Sequence, residues 1–171
     1  NSAEGPGPIE WENIKDNKVR GIIAPHIDLR CGGPCFSWAY KELAQSPPPE
    51  LFIIFGTVHA ATQNLFTLTQ KDFETPLGIV KTDKAFIQDL ISRYDYDLSA
   101  DEMVHRTEHT IEFQIIFLQY LYQKAQKKGI KIVPILCGSF HEMIFSGVSP
   151  CEVSQIGNFI QAMAATIKEK D

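Results

Sequence analysis

The sequence predicts an α/β fold in which helices flank a mainly parallel sheet. Short runs of β-branched and aromatic residues alternate along the chain with segments of helical periodicity. Such alternation is typical of parallel sheets covered by helices. Two of the runs, GIIAPHID at 21–28 and FIIFGTVHA at 52–60, end in a turn signal followed by a histidine. Because ligands of α/β proteins bind where strands end, we expect His26 and His59 to share a site.

The composition indicates one globular domain and excludes some classes of partner. The chain has 171 residues, of which 44% are hydrophobic and 22% are charged, and its formal net charge is −5. This charge offers no extended basic surface for nucleic acid. No apolar run approaches the ~20 residues of a membrane span, and the first residues lack a signal-peptide pattern. We therefore expect a cytoplasmic protein without a membrane span.

The four cysteines are expected to be reduced thiols, since a chain of this size does not need a disulfide framework. The first pair has the spacing C-x3-C, which differs from the C-x2-C of zinc ribbons. Cys137 and Cys151 are predicted to lie in the core, because free cysteines are among the most buried residues. Cys31 and Cys35 follow His26 in the sequence and are candidates for residues that lie beside His26 without binding a metal themselves.

The first half of the chain predicts an alternation of strands and helices after a flexible segment at 1–18, which contains GPGP. Asp83 is the expected N-cap of the helix over KAFIQDLISRY, because its carboxylate can accept amide hydrogens of the first turn. Three prolines in SPPPE end the first helix. The predicted elements are a strand at about 19–25, a helix at 36–45, a strand from 52, an alternating strand in NLFTLTQ, and a turn with a short strand in ETPLGIVKTD.

The second half predicts a wide-faced, largely buried helix at about 108–127 that ends at Gly129. A core strand, IKIVPILCG, follows, and the last helix covers SQIGNFIQAMAATIKEK with Ser149 as cap and Pro150 in its first turn. A final helix of this kind normally leads into another core strand. We therefore expect the α/β domain at 19–171 to be incomplete at its C-terminal end, with the sheet edge beside IKIVPILCG open.

The segment HRTEHTIEFQ at 105–114 permits two interpretations. His105, Glu108 and His109 spell H-x-x-E-H, the pattern of a zinc peptidase in which the glutamate is the general base. That function requires one helix through both histidines, and S-A-D-E at 99–102 is a candidate capping box for it. If the helix instead begins near Thr107, His109 lies in its first turn and His105 in the preceding loop. The spacing alone is compatible with both.

Four segments together resemble the Memo family, which includes AmmeMemoRadiSam system protein B. They are APHIDLRCGG at 24–33, FGTVHA at 55–60, EHTIEFQIIFLQYL at 108–121 and IVPILCGSF at 132–140. The resemblance covers roughly residues 19–170 and implies a fold similar to class III extradiol dioxygenases, which use non-haem iron. It also implies a pocket lined by His26, His59 and His109. A later family strand similar to SSDF-x-H, which would add a cysteine or histidine, is not found in this sequence.

The expected site is a metal pocket with His26 and His59 as metal ligands and with His109 and Glu108 as catalytic residues. Two neutral imidazoles suit iron, copper, zinc or nickel, so these residues alone select no particular metal. Among divalent transition metals, iron or copper is favoured and zinc is compatible. Asp28 or Glu108 could orient an imidazole or ligate the metal directly. Asp28 and the residue after it replace the usual Gly-Tyr of the family, so the pocket wall is expected to differ.

The predicted function is redox or dioxygenase-like chemistry on a small molecule. The alternative is a non-catalytic module that binds a small ligand or a peptide in the same pocket. His105 and His141 match no block of the family and are expected to be ordinary polar residues.

Overall fold

A computed structural model describes residues 4–12, 14, 16, 18–124 and 129–169. Helices and strands alternate only in part, because four strands follow one another after the first helix and two helices then precede the fifth strand. The helices are α1 (Leu29–Ala44), α2 (Lys84–Ser92), α3 (Thr110–Lys124), α4 (His141–Ser146) and α5 (Ser154–Lys168). The strands are β1 (Phe52–Thr57), β2 (Phe66–Leu68), β3 (Phe73–Thr75), β4 (Gly78–Thr82) and β5 (Lys131–Cys137). Short 3₁₀ turns cover Glu102–Arg106 and Pro150–Glu152.

The strands form one mixed sheet in the order β1-β5-β4-β3, and β5 lies at its centre. β1 and β4 pair with β5 in parallel, whereas β2 pairs with the end of β5 and β3 with β4 in antiparallel orientation. The prediction of an open sheet edge beside β5 is therefore wrong. Because β2 returns alongside the end of β5, that strand has hydrogen-bonded neighbours on both sides.

Each face of the sheet carries its own hydrophobic cluster, as the two-residue period of β5 requires. Val133 and Ile135 pack with α2 and α5, and Phe66 stacks on Phe159 of α5 with ring centroids 3.9 Å apart. Ile132 and Leu136 point to the opposite face, where α1 and α3 pack. The sheet is thus the middle layer between two pairs of helices, in agreement with the predicted α/β class.

The predicted strand at 19–25 is not formed, and the segment belongs to no helix and has no ladder partners. Pro25 has no amide hydrogen for a ladder, and other backbone groups bind side chains instead. The amide of Val19 donates to Ser46 Oγ at 2.8 Å, and the Pro25 carbonyl accepts from Gln114 Nε2 at 3.0 Å. Ile22 and Ala24 pack against the hydrophobic cluster on the face of α1 and α3, whereas Ile23 between them is 99% exposed.

α1 begins at Leu29, well before the predicted start at 36. The Asp28 carboxylate caps it by accepting from the Arg30 amide at 2.7 Å. Gly32 is buried in close contact, since a Cβ there would clash with Ile27 Cγ2. Glycine here allows tight packing, and Pro34 is accommodated inside the helix.

The other helix boundaries follow the expectations in part. Asp83 caps α2 by accepting from the Phe86 amide at 3.0 Å, which confirms the predicted cap. Ser149 and Pro150 begin the 3₁₀ turn rather than α5, because Ser149 forms its capping box with Glu152 in that turn. The expected end of α3 at 125–128 and that of α5 at 170 lie outside the described residues.

The cysteine expectations are met only partly. Cys137 is half-buried against the core, and burial raises the pKa of its thiol to about 11. Cys151 is exposed, which contradicts its predicted core position, because the 3₁₀ turn that carries it lies at the surface.

Within the described ranges, no helix is long and apolar enough to cross a membrane.

Part of the N-terminal segment contacts α1. Trp38 Nε1 donates to the Glu4 carbonyl at 3.0 Å, and Lys41 Nζ donates to the Pro6 carbonyl at 2.7 Å. The expected flexibility of 1–18 stays a prediction, and residues 1–3, 13, 15 and 17 lie outside the described residues.

Candidate metal centre

The site forms where the end of β1 meets the start of α3. Gly56 allows this approach, since a Cβ there would lie 2.5 Å from Thr110 Oγ1 and 2.7 Å from Ile111 Cγ1. Thr110 Oγ1 in turn donates to the Thr57 carbonyl at 2.9 Å. The contact fixes the first turn of α3 against the last residues of the strand. His59, just after β1, and His109, just before α3, are thereby brought together.

The Glu108 carboxylate connects the two histidines through four close contacts. Its Oε2 accepts from the backbone amide of His59 at 2.8 Å and lies 2.9 Å from His59 Nδ1. Its Oε1 accepts from the backbone amide of His109 at 2.8 Å and lies 3.1 Å from His109 Nδ1. The carboxylate is only 6% exposed and therefore has little competition from solvent.

These contacts also set the protonation of Glu108. Burial raises the pKa of its carboxyl group, but hydrogen bonds from the amide and imidazole of His59 and from the amide of His109 outweigh burial and lower the pKa overall. An ionised carboxylate only accepts hydrogen bonds, so His59 Nδ1 must donate. The same carboxylate favours a proton on His109 Nδ1. In the neutral rings, both Nε2 atoms then keep a free lone pair.

Three imidazole rings gather at this point. The His59 and His109 rings are nearly parallel, with centroids 5.3 Å apart and an interplanar angle of 8°. The His26 ring lies 5.3 Å from that of His59 and 6.2 Å from that of His109. The predicted convergence of the histidines is therefore present in the fold, although His26 lies on a segment that is neither strand nor helix.

The chemistry of these donors fits a transition metal. Ligand atoms from His59, Glu108 and His109 lie within 4.8 Å of one another. The His26 ring borders this group without belonging to it. Imidazole nitrogens backed by a carboxylate are the arrangement found at iron, copper and zinc sites. His59 and His109 are 51% and 46% exposed, so the group is accessible from solvent.

His105 belongs to a different environment, which argues against the peptidase arrangement. It lies in the 3₁₀ turn Glu102–Arg106, and α3 begins only at Thr110, so no continuous helix carries both histidines. The proposed capping box at 99–102 is not formed, because the Ser99 amide donates to Asp97 Oδ1 at 2.8 Å and the Glu102 carboxylate accepts from Thr69 Oγ1 at 2.8 Å. His105 is buried, and its Nε2 lies 3.2 Å from the Thr67 carbonyl.

The remaining candidates lie outside the group of ligand atoms. Asp28 uses its carboxylate to cap α1. Cys31 and Cys35 are exposed on that helix. His141 begins α4 and stacks on Phe145. A cavity of about 800 Å³ lies between the N-terminal segment and helices α1 and α3, and no histidine lines it.

Sequence reasoning missed two residues that build the site. Gly56 carries a signal in the order Gly-Thr-x-His at a strand end, which suggests a close approach of another backbone. Gln114 carries no local signal, because its partners are Tyr40 and Pro25 on distant parts of the chain.

A family model and several curated relatives match this chain. The family model described as "Memo-like protein" matches residues 4–162. A "MEMO1 family protein" of Aquifex aeolicus is 33% identical over 125 residues, covering 73% of this chain and 32% of the relative. The corresponding relative from Methanopyrus kandleri is 34% identical over 143 residues, covering 81% and 47%. One from Pyrococcus furiosus is 31% identical over 159 residues, covering 91% and 54%. The chain thus spans about half or less of the length of these curated relatives.

Proposed function

The chain belongs to the Memo-like protein family, and on that premise we propose that the end of β1 and the start of α3 form a transition-metal site. His59 and His109 are the ligands through Nε2, and His26 is a third ligand from the facing segment. Glu108 orients the first two rings. This assignment differs from the sequence-based roles of Glu108 and His109 as catalytic residues, which stay predictions.

The observation that carries the proposal is the position of the Glu108 carboxylate behind both rings. A carboxylate has about four lone-pair sites, and four nitrogen atoms of His59 and His109 already lie against its two oxygens. Direct ligation or general-base catalysis by Glu108 would require some of these contacts to break. Holding Nδ1 and leaving Nε2 available is the role that carboxylates play behind metal-bound histidines.

The predicted chemistry rests on this ligand set. When bound, iron or copper would supply redox chemistry with dioxygen as the oxidant. An example is the cleavage of a catechol ring in which both oxygen atoms of dioxygen enter the product. Zinc is also compatible with these ligands. The half-exposed rings of His59 and His109 leave room for a small molecule to approach. The residues of the chain bind and orient the ion, and Glu108 keeps the Nδ1 protons in place.

Metal titration tests the site. The protein is titrated with Zn²⁺, Cu²⁺ and, without oxygen, Fe²⁺, and affinity is measured by competition with a chromophoric chelator. We expect binding that is lost in His59→Ala and His109→Ala and weakened about 10- to 100-fold in Glu108→Gln, because the carboxylate would no longer fix the tautomers. His141→Ala is the matched control, since His141 is exposed on α4. Equal affinity of the His59→Ala and His141→Ala variants would refute the site.

A second experiment separates catalysis from binding alone. Oxygen consumption is measured for the iron-loaded and copper-loaded protein with a series of catechols, and the metal-stripped protein is the control. Metal-dependent consumption supports the redox function. A ligand that binds equally well after metal removal, without oxygen consumption, supports the alternative of a binding module.

A further inference from the structure

His26 requires a support other than a strand, because residues 18–26 form no ladder. Gln114, in the second turn of α3, lies next to this segment. Its Nε2 donates to the carbonyl of Pro25 at 3.0 Å, directly before His26. This hydrogen bond joins residues 89 positions apart and ties the loop to the helix that begins beside His109.

The amide of Gln114 has only one orientation that satisfies its neighbours. Its Oε1 accepts from the Tyr40 hydroxyl at 2.8 Å, and its Nε2 also lies 3.4 Å from the Thr110 carbonyl. Carbonyl oxygens of Pro25 and Thr110 cannot donate, so the amide nitrogen must face them. Tyr40 is buried, and burial raises the pKa of its phenol, so the hydroxyl stays protonated and available as a donor.

The start of α3 therefore contacts all three histidine-bearing segments. His109 precedes the helix, Thr110 binds the Thr57 carbonyl two residues before His59, and Gln114 binds the Pro25 carbonyl one residue before His26. A shift of the Pro25 loop would move the His26 ring while the contact between β1 and α3 stays intact.

We propose that Gln114, oriented by the Tyr40 hydroxyl, is the positioning residue that holds His26 against the His59–His109 pair. This inference rests on the proposed function only where it concerns metal affinity. The position of the His26 ring is a property of the metal-free fold and can be measured independently.

The test compares Gln114→Met with Gln123→Met. Both glutamines lie on α3 and donate to a backbone carbonyl, but Gln123 binds Leu77, on another part of the molecule. Gln114→Met should weaken Zn²⁺ binding about tenfold, and Gln123→Met should leave it unchanged. In the His26→Ala background, Gln114→Met should have no further effect, because the residue acts through His26. Equal affinities of the two methionine variants, or full additivity with His26→Ala, would overturn the proposal.

Nuclear magnetic resonance of the metal-free protein provides the second measurement. In Gln114→Met the His26 ring signals should shift or broaden, whereas those of His59 and His109 should stay in place. If the parent protein binds no metal, the proposed function fails, and these signals alone decide the positioning role; an unchanged His26 signal would overturn it. Tyr40→Phe is the second variant in case Gln114→Met fails to fold, and it should produce the same selective change in His26 with a smaller amplitude.

Discussion

The contact between Gly56 and α3 provides a quantitative test of how the site is built. In Gly56→Ala the new Cβ would lie 2.5 Å from Thr110 Oγ1 and 2.7 Å from Ile111 Cγ1, both well inside van der Waals contact. Both residues are 2% exposed and cannot move into solvent. The helix must therefore shift, and the 2.9 Å hydrogen bond from Thr110 to the Thr57 carbonyl must lengthen or break.

The expected cost is the sum of opposing contributions to the free energy of unfolding. Overpacking costs about 1–3 kcal/mol, and loss of the hydrogen bond costs about 1 kcal/mol. The less flexible unfolded chain of the alanine variant restores up to about 1 kcal/mol. We expect a net loss of about 2 kcal/mol, which lowers the urea midpoint by about 1 M at a denaturant slope of about 2 kcal/mol/M.

Urea denaturation followed by circular dichroism measures this loss. Gly157→Ala in α5 is the matched control, because, apart from its chain neighbours and the adjacent backbone of its own helix, no atom of the described residues lies within 4 Å of a Cβ built there. That substitution should stabilise the helix by about 0.5–1 kcal/mol. Gly56→Ala should also weaken Zn²⁺ binding, since His109 would move away from His59. A loss below about 0.5 kcal/mol in Gly56→Ala would refute the packing argument.

Three further predictions concern the core, pH and metal. Phe86→Ala should destabilise the fold by about 3–5 kcal/mol in urea titrations, because the Phe86 side chain is only 1% exposed. Ile160→Ala is the control and should be nearly neutral, because Ile160 is 58% exposed. Burial lowers the pKa of His105, so the unfolded chain binds its proton more readily and stability should fall as pH drops below the ordinary pKa of 6.5. In urea titrations at a series of pH values, the free energy of unfolding should decline less steeply for His105→Gln than for the parent protein. Identical pH profiles of the two proteins would show that His105 does not cause the decline. Zn²⁺ at about 100 times its dissociation constant should stabilise the protein by about 2.7 kcal/mol, as measured in thermal melts. If Zn²⁺ stabilised the His59→Ala variant equally, the ion would not bind at this site.

The sequence alone was sufficient where local chemistry determines the structure. Asp83 predicts the start of α2, because an N-cap depends on residues only three positions away. The alternation of Val133 and Ile135 with Ile132 and Leu136 places β5 between two layers of helices, because side chains of a strand alternate between its faces. His59 could be placed at the end of a strand, because a short apolar run and a turn signal directly precede it in the sequence.

The tertiary structure decided how the site is assembled, because its contacts join residues far apart in the chain. Glu108 binds His59 across 49 positions, and Gln114 binds the carbonyl before His26 across 89. No periodicity encodes such pairs, since each depends on how α3 packs against β1 and on which backbone groups the sheet leaves unpaired. The sequence predicted a strand to aim His26, whereas the fold gives that segment no ladder partners and holds the carbonyl before His26 with the side chain of Gln114.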